Sequence, residues 1–338
     1  MPTTIGIDAT YSVGSSLSGV GRYSLELIRA IQTQYPQSKW NLYYRAHRFL
    51  RAPWPKRLLF ESTPRSCDLF HGLNQRLPKR TQIPCVSTFH DLFVLSAEYS
   101  SPDFRRRFEE QARHAAAHSA HIISVSQFTA NQIVEYLNYP AERIHVVPHG
   151  VHPERQVASI ESRKPAVLTV GAVQKRKNTA RLIDAFAALP PPWELWIAGS
   201  LGFEADAMLA SSKTNPRIKL LGYVPDNELR RLYQEASIFA FPSLDEGFGM
   251  PVLEAMAHGL PVLTSNRSSL PEVAGDAALL VDPFQNEAIA AGLTQLTNEA
   301  KRQQLALLGL KRIQSFTWQH AARETAAVYA KVLGHPLS

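Results

Sequence analysis

Short apolar segments alternate with amphipathic segments twice along this 338-residue chain, and the alternation limits the folds that it can adopt. Apolar runs separated by helices predict strands of parallel sheets, so two such series predict an α/β protein with two Rossmann-like domains. Candidate strands of the first series lie at 3–10, 40–44, 67–72, 85–91, 121–126 and 143–150. Those of the second lie at 166–171, 194–199, 217–222, 237–243 and 260–265.

Apolar residues at helical spacing predict the segments that connect these strands. Helices are predicted at 21–35, 103–118, 128–137, 179–189, 226–236, 251–258 and 321–333. A polar, proline-bearing stretch at 151–165 separates the two series and predicts the domain boundary. Ligands bind parallel sheets at the carboxyl ends of the strands, so the residues that follow each strand are the candidate site.

Composition excludes several other classes of protein. Hydrophobic residues make up 45% of the chain and charged residues 19%, which excludes a disordered or coiled-coil chain. No apolar run is long enough for a membrane span, and the first residues do not resemble a secretory signal. Cys67 and Cys85 form neither a disulfide framework nor a metal-ligand pattern. We therefore expect a cytoplasmic protein.

Positive charge is concentrated in the first half of the chain. Residues 1–160 contain 18 Lys and Arg against 12 Asp and Glu, and the excess lies at 45–57, 76–80 and 104–108. Each segment alone is more typical of a solvated face; together they predict a surface for an anionic partner, namely the face of a membrane, a phosphorylated acceptor or nucleic acid. No zinc-finger spacing and no aromatic RNA-binding motif accompanies them, so we expect no nucleic acid.

A glycine-rich segment at 14–21 precedes the first predicted helix. Val20 and Gly21 stand where a Walker A loop has Lys and Ser or Thr, and the G-x-G-x-x-G and G-x-S-x-G patterns are absent from the chain. The segment is either a turn before a helix or a loop whose backbone amides approach an anion. A kinase, a nicotinamide dehydrogenase and an α/β-hydrolase are all disfavoured.

The most informative stretch is 245–263, in which Glu246 and Glu254 are separated by seven residues beside a Gly-Phe-Gly turn. It resembles the E-x7-E signature of the retaining glycosyltransferases of family 4, which have the two-domain GT-B fold. Further segments resemble that family in the same order; they lie at 18–31, 88–95, 123–151, 170–186, 220–249, 268–283 and 316–333. The resemblance covers nearly the whole chain.

The resemblance implies a domain organisation and a fold. Two Rossmann-like domains with parallel sheets would face each other across a cleft. Residues 1–158 would form the acceptor domain and residues 159–318 the nucleotide-sugar donor domain. A C-terminal helix at 319–338 would pack back on the first domain.

The resemblance also assigns groups to the donor diphosphate. Arg176 and Lys177 correspond to the family's Arg/Lys pair, and fixed cations are what a leaving diphosphate needs. Many members carry a further basic residue where this chain has Ala172, so the contact that each cation makes stays open. Gly19 and Gly21 would let the first-domain loop approach the diphosphate.

The donor sugar and ribose would be held by the segment around the two glutamates. Glu246 would bind the sugar hydroxyls, with Gly247, Phe248 and Gly249 beside it, and Glu254 would accept hydrogen bonds from the ribose. An ionised carboxylate suits both tasks because it only accepts hydrogen bonds. In the family a histidine at the position of His90 faces the cleft near the donor sugar, so His90 and Glu246 are the candidate catalytic residues; His71, His149 and His152 follow other strand ends and stay open.

These implications predict a retaining hexosyltransferase that needs no cofactor and no metal, since the chain has no D-x-D triplet. GDP-mannose is the expected donor and a UDP-hexose is the alternative. The expected acceptor is a glycan or a lipid-linked molecule, with peripheral membrane contact through the basic first half. A sugar-nucleotide epimerase, a phosphorylase with the same fold and a noncatalytic basic binding protein remain as alternatives.

Overall fold

The computed structural model describes residues 2–14, 17–53, 55–202, 205–209, 212 and 215–337. The chain divides into two compact units: the first comprises residues 1–150 and 316–338, and the second residues 151–315. The sequence analysis placed these divisions at 158/159 and 318/319.

The first unit is built on a parallel sheet. Its strands are β1 (Thr4–Asp8), β2 (Lys39–Tyr44), β3 (Arg57–Leu58), β4 (Leu69–Gly72), β5 (Cys85–Phe89), β6 (His121–Ser124) and β7 (Ile144–Val146). Their order is β3-β2-β1-β4-β5-β6-β7, and every neighbouring pair is parallel. The direction of winding changes between β1 and β4, which is where such sheets bind ligands beyond the carboxyl ends of their strands.

Helices cover both faces of this sheet. They are α1 (Gly19–Gln34), α2 (Ala46–Phe49), α3 (Phe93–Ser96), α4 (Pro102–His118) and α5 (Gln127–Leu137). The hydroxyl of Ser126 accepts a hydrogen bond from the Thr129 amide and caps α5, which ends at Asn138 in the left-handed conformation. Strands β4 and β5 are buried along their whole length, as expected for the centre of a covered parallel sheet.

The second unit repeats the architecture. Its strands are β8 (Lys164–Val170), β9 (Glu194–Ala198), β10 (Ile218–Gly222), β11 (Ala236–Phe241), β12 (Val262–Ser265) and β13 (Ala278–Val281). Their order is β10-β9-β8-β11-β12-β13, again with parallel neighbours. The winding here changes between β8 and β11, so the loops after these two strands form the expected ligand site.

The helices of the second unit follow its strands. They are α6 (Thr179–Phe186), α7 (Ala205–Met208), α8 (Asp226–Glu235), α9 (Met250–Ala257), α10 (Leu270–Ala274), α11 (Asn286–Gln295) and α12 (Glu299–Arg312). An apolar core between sheet and helices includes Leu182 and Phe186 of α6, packed with Ile197 of β9 and Ile289 of α11.

The last helix, α13 (Trp318–Leu333), belongs to the first unit and packs along α1. Its first turn lies so close to Gly150 that a Cβ atom there would come within 2.3 Å of the Trp318 amide nitrogen. Any side chain at position 150 would therefore displace the start of α13.

The two parallel sheets confirm the predicted α/β class with two Rossmann-like units. Among the described residues, no helix combines the length and the apolar character needed to cross a membrane. The same residues contain no group of three or more His, Cys, Asp or Glu side chains placed to hold a metal ion.

Candidate functional site

The loop after β8 carries Arg176 and Lys177, the two cations assigned to the donor diphosphate, and one asparagine holds this loop in place. Residues 175–177 form a single 3₁₀ turn, and Asn178 follows in the left-handed conformation, which asparagine tolerates better than most residues. Its buried side-chain amide donates to the carbonyls of Pro242 at 3.0 Å and Pro283 at 2.7 Å. One amide thus joins the loops that follow β8, β11 and β13.

This anchoring places both cations against one carboxylate. Nζ of Lys177 lies 2.5 Å from Oε1 of Glu246, and Nη1 of Arg176 lies 3.1 Å from Oε2. Arg176 also donates to the Asp245 carbonyl at 3.1 Å. The Lys177 ammonium lies 4.5 Å from the centre of the Phe241 ring, a distance at which the ring's electrons attract a cation.

The electrostatics of this group keep Glu246 ionised. Its side chain is only 8% exposed, and burial alone would raise the pKa of the carboxyl. The positive charges of Lys177 and Arg176 outweigh burial, so the pKa lies below its usual range. The group is therefore two cations held around one anion at the point where the sheet changes its direction of winding.

The segment that follows Glu246 is held by two serines. The Glu246 amide donates to the hydroxyl of Ser268 at 3.2 Å, and the hydroxyl of Ser269 donates to the carbonyls of Glu246 and Phe248 at 2.8 and 2.9 Å. Gly247 and Phe248 are both buried. These bonds fix the backbone of the predicted sugar-binding segment without using the Glu246 carboxylate.

Gly249 is required where this segment turns into α9. Its φ of 104° lies in the region that favours glycine, and a Cβ atom would come within 2.7 Å of Cδ2 of Leu270. The helix starts directly after it, at Met250.

Glu254 lies in the middle of α9 and is half-buried. Its Oε2 atom accepts a hydrogen bond of 3.0 Å from the hydroxyl of Tyr233, near the end of α8. The Tyr233 ring stacks on His258, with 5.2 Å between the ring centres. The sequence analysis missed Tyr233, because an apolar position of an amphipathic helix does not reveal which polar atom its hydroxyl will reach.

In the first unit, His90 follows β5 and is buried. Nε2 of its ring donates to the carbonyl of Leu73 at 2.9 Å, and the edges of the Tyr23 and His149 rings pack against it. Burial lowers the pKa of His90 to about 4, so the ring is neutral at neutral pH. A neutral ring whose Nε2 donates carries its lone pair on Nδ1.

A chain of buried hydroxyl and imidazole groups lies beside His90. Nδ1 of His71 is 2.6 Å from the hydroxyl of Tyr329, and Nε2 is 2.9 Å from that of Thr88. The Thr88 hydroxyl is in turn 3.1 Å from that of Tyr23. Burial lowers the pKa of His71 to about 3, so His71, left open by the sequence, serves as a neutral link between α13 and β5.

The two glycines predicted to approach a diphosphate lie in the first turn of α1 instead of a loop. A Cβ atom at Gly21 would come within 2.7 Å of the Tyr11 carbonyl oxygen, so this glycine allows α1 to pack against the preceding backbone. A Cβ atom at Gly19 would meet no atom of the described residues within 4 Å. Ser15 and Ser16 of the glycine-rich segment lie outside the described residues.

Comparisons with known proteins agree with this architecture. Residues 32–155 match the family described as Glycosyltransferase Family 4, and residues 152–306 match Glycosyl transferases group 1. The O-antigen chain mannosyltransferase B of Escherichia coli is 32% identical over 96% of this chain and 98% of that protein. The chain belongs to glycosyltransferase family 4. It is therefore an enzyme that transfers a sugar.

A further relative is similar to this chain in sequence, and a solved structure is similar to it in fold. The MMP alpha-(1->4)-mannosyltransferase of Mycolicibacterium hassiacum is 28% identical over 74% of this chain and 66% of that protein. Sucrose-phosphate synthase of Thermosynechococcus elongatus has a TM-score of 0.79 at 19% identity, covering 98% of this chain and 99% of the other. At 19% identity, the likeness to sucrose-phosphate synthase concerns the fold alone, and it extends over nearly the whole of both chains.

Proposed function

We propose that this chain transfers mannose from GDP-mannose to a hydroxyl of a glycan or lipid-linked acceptor, with retention of configuration and without a metal. The choice of sugar is supported by the two relatives described above, both of which are named as mannosyltransferases. The acceptor class is supported by the name of the first, an O-antigen chain enzyme.

The observation that carries the proposal is the Lys177–Glu246–Arg176 group after β8 and β11. Breaking the bond between a sugar and a diphosphate leaves negative charge on the departing oxygen, and preorganised cations stabilise that charge. Arg176 and Lys177 are the side chains that we assign to the diphosphate, in the role that a metal ion has in other transferases.

In the proposed reaction the bond from the anomeric carbon to the diphosphate oxygen breaks, and a bond to the acceptor oxygen forms on the same face. The acceptor proton passes to the leaving phosphate. Glu246 would accept hydrogen bonds from the sugar hydroxyls, and Glu254 from the ribose. His90 would act as a neutral hydrogen-bond acceptor through Nδ1, because a pKa of about 4 leaves a single ring proton at neutral pH and Nε2 donates that proton to the Leu73 carbonyl.

We propose peripheral contact with an anionic membrane through the first unit. Leu50 and Phe60 are 89% and 71% exposed; Leu50 lies within the basic 45–57 segment, and Phe60 follows that segment by three residues. Part of the positive charge elsewhere is neutralised locally, because Lys79 pairs with Glu61 and Arg106 with Asp103. The proposed contact therefore centres on the exposed apolar side chains with their basic neighbours.

Calorimetric titration with GDP, UDP, ADP and their common sugar conjugates, in the presence of a chelator, tests the donor and the metal together. We expect GDP and GDP-mannose to bind most tightly, and mannose transfer to continue in the chelator. Preference for UDP and a UDP-hexose would replace the donor, and loss of transfer on chelation would contradict metal independence. The anomeric configuration of the product, read by NMR, decides between retention and inversion.

A further inference from the structure

One tyrosine lies directly behind the second glutamate of the site. Tyr233 is 2% exposed, and its hydroxyl donates to Oε2 of Glu254 at 3.0 Å. The two residues belong to different helices, α8 and α9, so the bond depends on how these helices are packed against each other.

The surroundings hold the Tyr233 ring in one orientation. The ring stacks on His258 with an angle of 12° between the planes, and it packs against Phe239 with 5.8 Å between the ring centres. Phe239 lies on β11, and both aromatic neighbours are buried. A buried ring packed between two buried aromatic side chains does not change rotamer readily, so the Tyr233 hydroxyl is a fixed donor.

A buried arginine ties together the ends of the two helices. Nη1 of Arg163 donates to the Tyr233 carbonyl at 2.8 Å, and Nη2 donates to the His258 carbonyl at 2.6 Å. Tyr233 is in the last turn of α8, and His258 follows the last residue of α9. The guanidinium thus fixes the distance between the helices that carry the hydroxyl and the carboxylate.

We propose that Tyr233 is a positioning residue, whose hydroxyl orients the Glu254 carboxylate to accept hydrogen bonds from the donor ribose. The inference rests on the ribose contact proposed above. A carboxylate on a helix can rotate about its terminal bonds, and a fixed donor at one oxygen restricts that rotation. An ionised carboxylate offers about four lone-pair positions, so it can accept from Tyr233 and from ribose hydroxyls together.

The test compares two ligands that differ only in the ribose hydroxyls. GDP and 2′,3′-dideoxy-GDP, or the UDP pair if the chain prefers uridine, are titrated into the wild-type chain, Tyr233→Phe and Glu254→Gln. Tyr233→Phe keeps the ring and its stacking and removes only the donor. Tyr139→Phe is the matched control, because its buried hydroxyl donates to the Ser119 carbonyl in the other unit.

We expect the wild-type chain and Tyr139→Phe to bind the dideoxy nucleotide about tenfold more weakly than the parent. In Tyr233→Phe this ratio should fall to about threefold or less, with the dideoxy nucleotide bound as tightly as by the wild-type chain. A purely structural role would weaken both ligands equally and leave the ratio unchanged, which would overturn the proposal.

The Glu254→Gln variant separates the two hypotheses. A ratio lost in Glu254→Gln but retained in Tyr233→Phe would overturn the positioning role and leave the ribose contact in place. A wild-type chain that binds both nucleotides equally, or a Glu254→Gln variant that keeps the full ratio, would overturn the ribose contact and the positioning role with it.

Discussion

Nζ of Lys177 and Oε1 of Glu246 are 2.5 Å apart, so a residue assigned to the donor diphosphate is ion-paired with one assigned to the donor sugar. The pair brings together residues that are 69 positions apart in the chain. A diphosphate that binds these cations must share them with a carboxylate that is already present.

The first prediction concerns that competition. Glu246→Gln should tighten the binding of GDP about three- to tenfold, because it removes a negative charge beside the cations that bind the phosphates. The same change should lower mannose transfer by a hundredfold or more. Calorimetry and a transfer assay measure the two effects. Glu287→Gln, on an exposed turn of α11, is the control, and weaker GDP binding by Glu246→Gln would refute the competition.

The second prediction separates two neighbouring lysines. Lys177→Ala should weaken GDP binding about ten- to hundredfold, because it removes a cation that is held in place by Asn178 and Phe241. Lys175→Ala removes an exposed cation from the same turn and should change the affinity less than threefold. Equal losses in the two variants would mean that only the overall charge of the loop matters.

The third prediction uses two glycines with positive φ. Gly249→Ala should lower the free energy of unfolding by about 2–4 kcal/mol, from left-handed strain plus the clash with Leu270. Gly334→Ala, at a φ of 78° with open space around it, should cost about 1 kcal/mol from strain alone. Urea denaturation of both variants measures the difference in the free energy of unfolding. Equal losses in the two variants would show that the structure relaxes around the contact between the methyl group added at position 249 and Leu270.

The fourth prediction concerns the pH dependence of stability in the first unit. Burial lowers the pKa of His90 to about 4 and of His71 to about 3, so the unfolded chain binds more protons below pH 6.5. The stabilisation from keeping each ring neutral is complete above pH 6.5 and is lost as the pH falls toward the folded pKa. Protonation linked to each ring should lower the free energy of unfolding by about 2 kcal/mol as the pH falls from 6.5 to 5.

Urea denaturation at pH 7 and pH 5 checks this slope. His71→Phe should show a smaller loss between the two pH values than the wild-type chain does. His335→Gln, which changes an exposed ring, should match the wild-type loss. A wild-type stability that stays constant between pH 7 and 5 would contradict the assignment of neutral buried rings.

The fifth prediction addresses the proposed membrane contact. The double variant Leu50→Ser, Phe60→Ser should co-sediment with anionic vesicles several-fold less than the wild-type chain at low salt, because it loses its exposed apolar anchors. Leu307→Ser, at a residue that is 69% exposed on α12, should have no effect. Unchanged sedimentation of the double variant, or none by the wild-type chain, would refute the contact.

The sequence predicted the parts of the fold that have strong local patterns. The candidate strands from 3–10 to 260–265 each overlap a strand of the structure. It missed β3 and β13, each of which is one edge strand of its sheet: β3 has only two residues, and the short apolar run that forms β13 was not recognised as a strand. The short helices α2, α3, α7 and α10 and the longer helices α11 and α12 were also missed.

The sequence analysis selected candidate site residues but did not predict the contacts between them. Arg176, Lys177 and Glu246 were selected, yet their ion pairs depend on which loops the sheet order places side by side. The close approach of Gly21 to the Tyr11 carbonyl was also not predicted, because a glycine pattern alone does not reveal which backbone lies next to it; its assignment to the diphosphate stays a prediction.

Asn178 has a consequence for attempts to redesign this enzyme. Its single amide joins the loops after β8, β11 and β13 through two backbone carbonyls, so an exchanged loop must return its carbonyl to the same place. A graft that moved the backbone carbonyl of residue 283 would withdraw a support from the turn that carries Lys177. Chimeras with other members of the family should therefore transplant the three loops as a set.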